Sequence, residues 1–224
     1  MCSSDLYTIE GKGEPVVLIH GLHSSAQLNW QLPGITTALA KDHQVIALDC
    51  RGHGQSGKPT ADEQYGEAMA EDVVRLLDHL KLQQAHVIGY SMGGMITLKL
   101  LVKHPERVKS AVLGGMGWLK TGGVLQQTWE RMPGREGAAV PPACVRGLGR
   151  LAVTETELKA VRVPVTVIVG ERDPVRRLYV EPLQGARPDW PVRIIAGAGH
   201  LNCIAKPEFQ AELRKALGSG AGSR

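Results

Sequence analysis

The chain has 224 residues, 43% hydrophobic and 21% charged, which is enough for one globular α/β domain with a buried core. The formal net charge is +4, but lysines and arginines are scattered among acids and no basic stripe with interleaved aromatics appears, so nucleic acid is excluded as an expected partner. No apolar run reaches the roughly 18 residues that span a bilayer, and Met1–Tyr7 is too polar for a secretory signal, so no membrane partner is expected either.

The four cysteines (Cys2, Cys50, Cys144, Cys203) have neither C-x-x-C spacing nor a disulfide framework. They read as reduced, partly buried thiols in a reducing, cytoplasmic compartment. The opening CSSDL at residues 2–6 back-translates readily to the end of a sequencing adapter. The expectation is a metagenomic read whose natural N-terminus, with any signal peptide or first strand, lies elsewhere.

Strand and helix signals alternate along the chain. Pro15–His20 is a short apolar run before a glycine and predicts a buried strand. A helix is predicted over 29–41, a second buried strand over 44–48, and then the loop DCRGHGQSG at 49–57. Met69, Val73, Leu76, Leu77 and Leu80 mark one face of a helix at 3.6-residue spacing. Strand 85–90, helix 92–104 and strand 108–113 follow; then come strand 163–169, a short helix near 175–186 and strand 192–196. The last helix opens at Pro207, a favoured first-turn position, and GSGAGSR at 218–224 reads as a flexible tail. Continuous apolar strands separated by helices imply a doubly wound, mostly parallel sheet covered on both faces. The irregular, Gly- and Pro-rich stretch 116–158 divides this α/β core (1–115 and 159–224) and reads as a short cap inserted over a pocket.

Gly89-Tyr90-Ser91-Met92-Gly93 fits G-x-S-x-G between a strand and a helix, the setting in which a serine is held on a strained turn with its hydroxyl exposed. A serine hydroxyl is unreactive near neutral pH and needs a base, which in turn needs an orienting acid. Eight histidines compete. His79, His86 and His104 read as surface or capping residues, His43 sits at the wrong end of its strand, and His20 and His53 precede the serine. His200, in GAGH after the last strand, opens on the carboxyl edge of the sheet and is the candidate base. Asp173, in GERDP after strand 163–169, is favoured over Glu171 as the acid because it lies farther into the loop. Asp49 is expected to hold its own loop by bonding backbone or Arg51. The oxyanion-hole donors expected are the backbone N–H groups of Met92, at a helix start, and Leu22, in the His20-Gly21-Leu22-His23 turn. His23, Trp118, Leu119, Trp129 and Met132 are the candidate substrate-binding residues. No histidine pair has metal-ligand spacing, and neither a metal nor an organic cofactor is expected.

HGL at 20–22, DCRGHGQSG at 49–57, GYSMGG at 89–94, HPERV at 104–108, GERD at 170–173 and GAGH at 197–200 together resemble the α/β-hydrolase superfamily from Tyr7 to Leu217. The branch is the one holding small carboxylesterases, carbon–carbon bond hydrolases and epoxide hydrolases. The resemblance implies a serine hydrolase with an inserted cap. Ser91 stands where epoxide hydrolases and haloalkane dehalogenases have aspartate, Leu22 where a dehalogenase grips halide with asparagine or tryptophan, and HGLH replaces the H-G-G-P-G of proline iminopeptidases. The expected partner is therefore a small-molecule ester of small to medium acyl chain. A carbon–carbon bond hydrolase, lactonase or thioesterase shares the same residues, and a non-catalytic receptor on this fold is the remaining alternative.

Overall fold

The computed structural model describes residues 6–133, 135 and 137–218. Most of the adapter-like start, Cys2 and the tail beyond Gly218 lie outside the described residues. Seven strands form one sheet in the order β1-β3-β2-β4-β5-β6-β7. They are β1 (Tyr7–Glu10), β2 (Glu14–Ile19), β3 (His43–Leu48), β4 (Ala85–Tyr90), β5 (Val108–Gly114), β6 (Val165–Gly170) and β7 (Val192–Ile195). All neighbours pair in parallel except β1, which runs antiparallel to β3 with Tyr7 opposite Leu48. The sheet is therefore doubly wound and mostly parallel, as the alternation of signals implies.

Alternate strand residues feed two apolar layers. Val17, Ile19, Val87, Leu113 and Val167 pack beneath α2 (Glu67–His79) and α3 (Met92–Lys103), while Val16, Leu18, Ile88, Val112 and Ile168 pack beneath α1 (Ile35–Leu39) and α8 (Pro207–Ala216). This two-sided burial is why the strand sequences are apolar throughout rather than alternating.

Between β5 and β6 the chain forms α4 (Val124–Arg131), α5 (Pro142–Gly147), a 3-10 turn (Leu148–Leu151) and α6 (Glu155–Ala160). Leu148, Leu151, Val153 and Leu158 are buried in the same core as the sheet. Lys120 bridges Val153, and Val153 N–H donates to the Leu119 carbonyl, which ties the two ends of the segment together. A capping box at Thr154 and Glu157 starts α6.

Two predicted helices are broken. In 29–41 a π-helical turn (Gln27–Gln31) is separated from α1 by Pro33 and Gly34, the latter at φ 77°. Proline cannot continue the hydrogen-bond ladder, and the left-handed glycine turns the chain. In 175–186 a π-helical turn (Arg176–Val180) gives way to α7 (Glu181–Ala186), where Pro182 has no N–H to extend the ladder. The expectation that His86 is a surface or capping histidine is also corrected. It is 6% exposed, with Nδ1 2.7 Å from Ser110 Oγ and Nε2 3.1 Å from Glu14 Oε2, so neighbouring strands supply the partners that let it be buried.

Candidate active site

Ser91 stands between β4 and α3 at φ 53° and ψ −114°, a strained conformation for a residue with a side chain. Its N–H is held by the Gly114 carbonyl at 2.8 Å. The flanking glycines are there for backbone clearance. A Cβ on Gly89 would lie 2.0 Å from the Gly93 carbonyl oxygen, and one on Gly93 would lie 2.0 Å from that of Ile19. The turn thus wedges between its own helix and the end of β2.

His200 and Asp173 arrive on the loops after β7 and β6. Nε2 of His200 lies 3.0 Å from Ser91 Oγ, and Nδ1 lies 2.8 Å from Asp173 Oδ2. Asp173 is 3% exposed, and its other oxygen accepts the Val175 N–H at 2.9 Å. With Nδ1–H donating to the carboxylate, Nε2 is left as the acceptor facing the hydroxyl. Glu171 is occupied elsewhere, accepting the Gly197 N–H at 2.8 Å. Arg172 N–H bonds the Ala198 carbonyl at 2.8 Å, so the two loops are also joined through backbone.

Met92 is the first residue of α3, where an N–H has no intrahelical acceptor. Gly21 is held from three sides. Gly21 N–H donates to Asn29 Oδ1 at 2.7 Å, and a Cβ on Gly21 would lie 3.3 Å from Ser91 Cβ. Cys50 N–H donates to His20 Nε2 at 3.0 Å, so the ring proton sits on Nδ1 and is donated to the Gly21 carbonyl at 2.8 Å. Because carbonyl and N–H of a trans peptide point in opposite directions, the bond that His20 makes aims the Leu22 N–H the other way. Burial lowers the His20 pKa and keeps the ring neutral, as this tautomer requires. Asp49 holds its loop through the N–H groups of Ala26 (2.8 Å) and Gln55 (3.0 Å), and Arg51 pairs with Asp72 instead.

The candidate substrate residues are dispersed. His23 is exposed, at φ 59° in the turn after Leu22. Trp118 and Leu119 are 5% and 2% exposed and belong to the main core, the indole donating to the Val153 carbonyl at 2.7 Å. Trp129 and Met132 are half-buried, and Trp129 Nε1–H donates to Tyr179 Oη at 3.1 Å. The roles of Asn29 and His20 were missed in the sequence. An H-G dipeptide at a strand end was a signal for His20, whereas Asn29 has no local signature. Among the described residues no group of three or more His, Cys, Asp or Glu could hold a metal ion, and no helix is long and apolar enough to cross a membrane.

Comparison with known proteins follows the same lines. The family described as alpha/beta hydrolase fold matches residues 14–151, well over half of the chain. The chain belongs to the α/β-hydrolase fold family. This α/β hydrolase is 39% identical over 124 residues to a putative carbamate hydrolase of Azorhizobium caulinodans, covering 55% of this chain and 45% of that protein. It is 43% identical over 108 residues to a 2-hydroxymuconate semialdehyde hydrolase of a Pseudomonas species, covering 47% of this chain and 37% of the other. The match thus spans less than half the length of these curated relatives. A thermophilic esterase from Thermogutta terrifontis has the same fold at a TM-score of 0.79 and 23% identity, with 96% of this chain and 93% of the esterase superposed.

Proposed function

We propose that the protein is a serine hydrolase that cleaves carboxylic esters of small to medium acyl chain through an acyl-enzyme. The single observation that carries this reading is the hydrogen-bonded series Ser91 Oγ, His200 Nε2 and Nδ1, Asp173 Oδ2, at 3.0 and 2.8 Å. Ser91 Oγ attacks the ester carbonyl carbon as its proton passes to Nε2, and the Asp173 carboxylate stabilises the imidazolium. The N–H groups of Leu22 and Met92 bind the tetrahedral oxyanion. Its collapse breaks the carbon–oxygen bond, and the alcohol leaves with the proton from His200. Water then attacks the acyl-enzyme with His200 as base, releasing the acid and restoring Ser91.

The substrate is assigned to the side of Ser91 covered by the segment 116–158, acting as a short cap. Met116 supports this, since it packs against Gly94 in the first turn of α3. Trp129 and Met132 form the wall, His23 its opposite rim, and the buried Trp118 and Leu119 back it from the core. A short cap favours a tolerant pocket, and the kinship with an esterase fold agrees with ester chemistry. Carbon–carbon bond cleavage of a diketone by the same residues is the second reading, favoured by the 2-hydroxymuconate semialdehyde hydrolase relative.

The test is a panel of p-nitrophenyl esters of increasing acyl length, with a thioester, a lactone and a vinylogous diketone, run on wild type and Ser91→Ala. Ester turnover that disappears in Ser91→Ala is expected. Turnover that survives the substitution would overturn the mechanism, and turnover of the diketone alone would replace the first reading with the second.

A further inference from the structure

Tyr90 is the last residue of β4, directly before Ser91, and is 4% exposed. A buried tyrosine must find a partner for its hydroxyl. Here Oη donates to the backbone carbonyl of His200 at 2.5 Å, across 110 residues of sequence. The ring lies beside the imidazole, with centroids 5.6 Å apart and planes inclined at 35°, and edge-on to Phe209 of α8 at 5.8 Å. Cys203 belongs to the same buried cluster as Tyr90. Burial pushes the Cys203 thiol up to about 12 and the Tyr90 hydroxyl above its usual range, so both remain protonated.

The space for this ring is made by Gly114, the last residue of β5, and by Gly115 beyond it. A Cβ on Gly114 would lie 2.9 Å from Tyr90 Cδ2, and one on Gly115 would lie 2.9 Å from Cζ. The same Gly114 holds the Ser91 N–H through its carbonyl. The loop bearing His200 is tied at its start to the loop after β6, through Gly197 N–H to Glu171 Oε2 and Arg172 N–H to the Ala198 carbonyl, whereas the bonds on either side of His200 itself stay within the loop, Gly199 N–H to Asn202 Oδ1 and Cys203 N–H to the Gly199 carbonyl. Its outer side faces solvent, with Leu201 91% exposed.

We infer that Tyr90 is a positioning residue for the base: seated in the Gly114–Gly115 slot, its hydroxyl clamps the His200 carbonyl and keeps the imidazole between Asp173 and Ser91. This rests on the serine-hydrolase reading. The residue before the nucleophile thereby sets the distance between nucleophile and base, since one side chain links the strand of the first to the loop of the second. Small misplacements of a reacting group cost large factors in rate.

Tyr90→Phe keeps the ring and removes only the hydroxyl. Three quantities decide the matter: kcat on p-nitrophenyl acetate per site titrated with a fluorophosphonate, KM, and the downfield proton resonance of His200 Nδ1–H. The expected result is a kcat per titrated site lowered about 10-fold or more, KM within about twofold of wild type, and a broadened or missing Nδ1–H signal. A purely structural role would reduce the number of titratable sites and leave kcat per site unchanged. That outcome, or a sharp Nδ1–H signal in Tyr90→Phe, overturns the clamp. If wild type itself is not labelled at Ser91, the serine-hydrolase reading fails, and the resonance comparison still decides whether Tyr90 orders His200.

Discussion

Arg51 and Asp72 form a two-point ion pair inside the protein, with Nε and Nη2 of the guanidinium each 2.5 Å from a carboxylate oxygen and side chains only 7% and 4% exposed. Arg51 Nη1 also donates to the Gln64 carbonyl at 2.6 Å, so the loop after β3 is pinned to α2. Asp72→Ala would take the carboxylate away from a buried guanidinium and is expected to cost about 3–5 kcal/mol in urea unfolding. Arg51→Met with Asp72→Leu removes both charges and should recover most of that loss. A double variant as unstable as Asp72→Ala would show that burying the Arg51 charge without the Asp72 carboxylate is not the cause.

Gly93→Ala brings a methyl group 2.0 Å from the Ile19 carbonyl oxygen and 3.0 Å from that of His20, both backbone atoms without a flexible end to yield. The expected cost is about 3 kcal/mol or more in thermal or urea unfolding. Fluorophosphonate labelling should fall with it, because Ile19 leads straight into the His20–Gly21–Leu22 turn. A variant with wild-type melting and labelling would contradict this close approach.

Asp173→Asn should lower kcat on the order of 10⁴-fold with the fold intact. Its amide oxygen can still accept the Val175 N–H, but the carboxylate that orients His200 Nδ1–H is gone. Glu171→Gln is the contrasting case. The Glu171 carboxylate accepts the Gly197 N–H, which an amide oxygen also accepts, so steady-state kinetics should stay within about threefold of wild type.

Acid should destabilise this protein more than mild base. Burial holds His53 down at about 3 and also depresses His20 and His86. These rings are neutral when folded, whereas the unfolded chain takes up protons near 6.5. Their stabilising contribution is therefore complete above pH 6.5 and declines as pH falls, by up to about 1.4 kcal/mol per pH unit for each ring. For His53 the window runs from 6.5 to about 3. Urea midpoints at pH 8, 6 and 5 should fall in that order, and His53→Phe should flatten the slope.

The parts of the site that were legible in the sequence are those whose cause is local. Gly89, Ser91 and Gly93 between apolar runs describe a strand, a strained turn and a helix within a few residues. Apolar strands and a 3.6-residue stripe gave most elements within a residue or two of their bounds. β1 was not legible, because this edge strand is only partly buried and carries no apolar run. His86 looked like a surface or capping histidine because its partners, Ser110 and Glu14, come from other strands. The Tyr90–His200 contact spans 110 residues and leaves no periodic trace. Trp118 and Leu119 show a related ambiguity: an apolar residue in an irregular segment reads the same whether it faces a ligand or the core.

The site is assembled from β2, β4, β6 and β7, so it exists only when the whole sheet is paired. Residues 14–151, which carry the family match, contain Ser91 and the Leu22 turn but neither Asp173 nor His200. A chain interrupted before β6 would carry an intact-looking G-x-S-x-G and still be inert. Labelling of Ser91 would thus serve as a readout of a fully paired sheet, because the partners of its hydroxyl arrive only after β6 and β7.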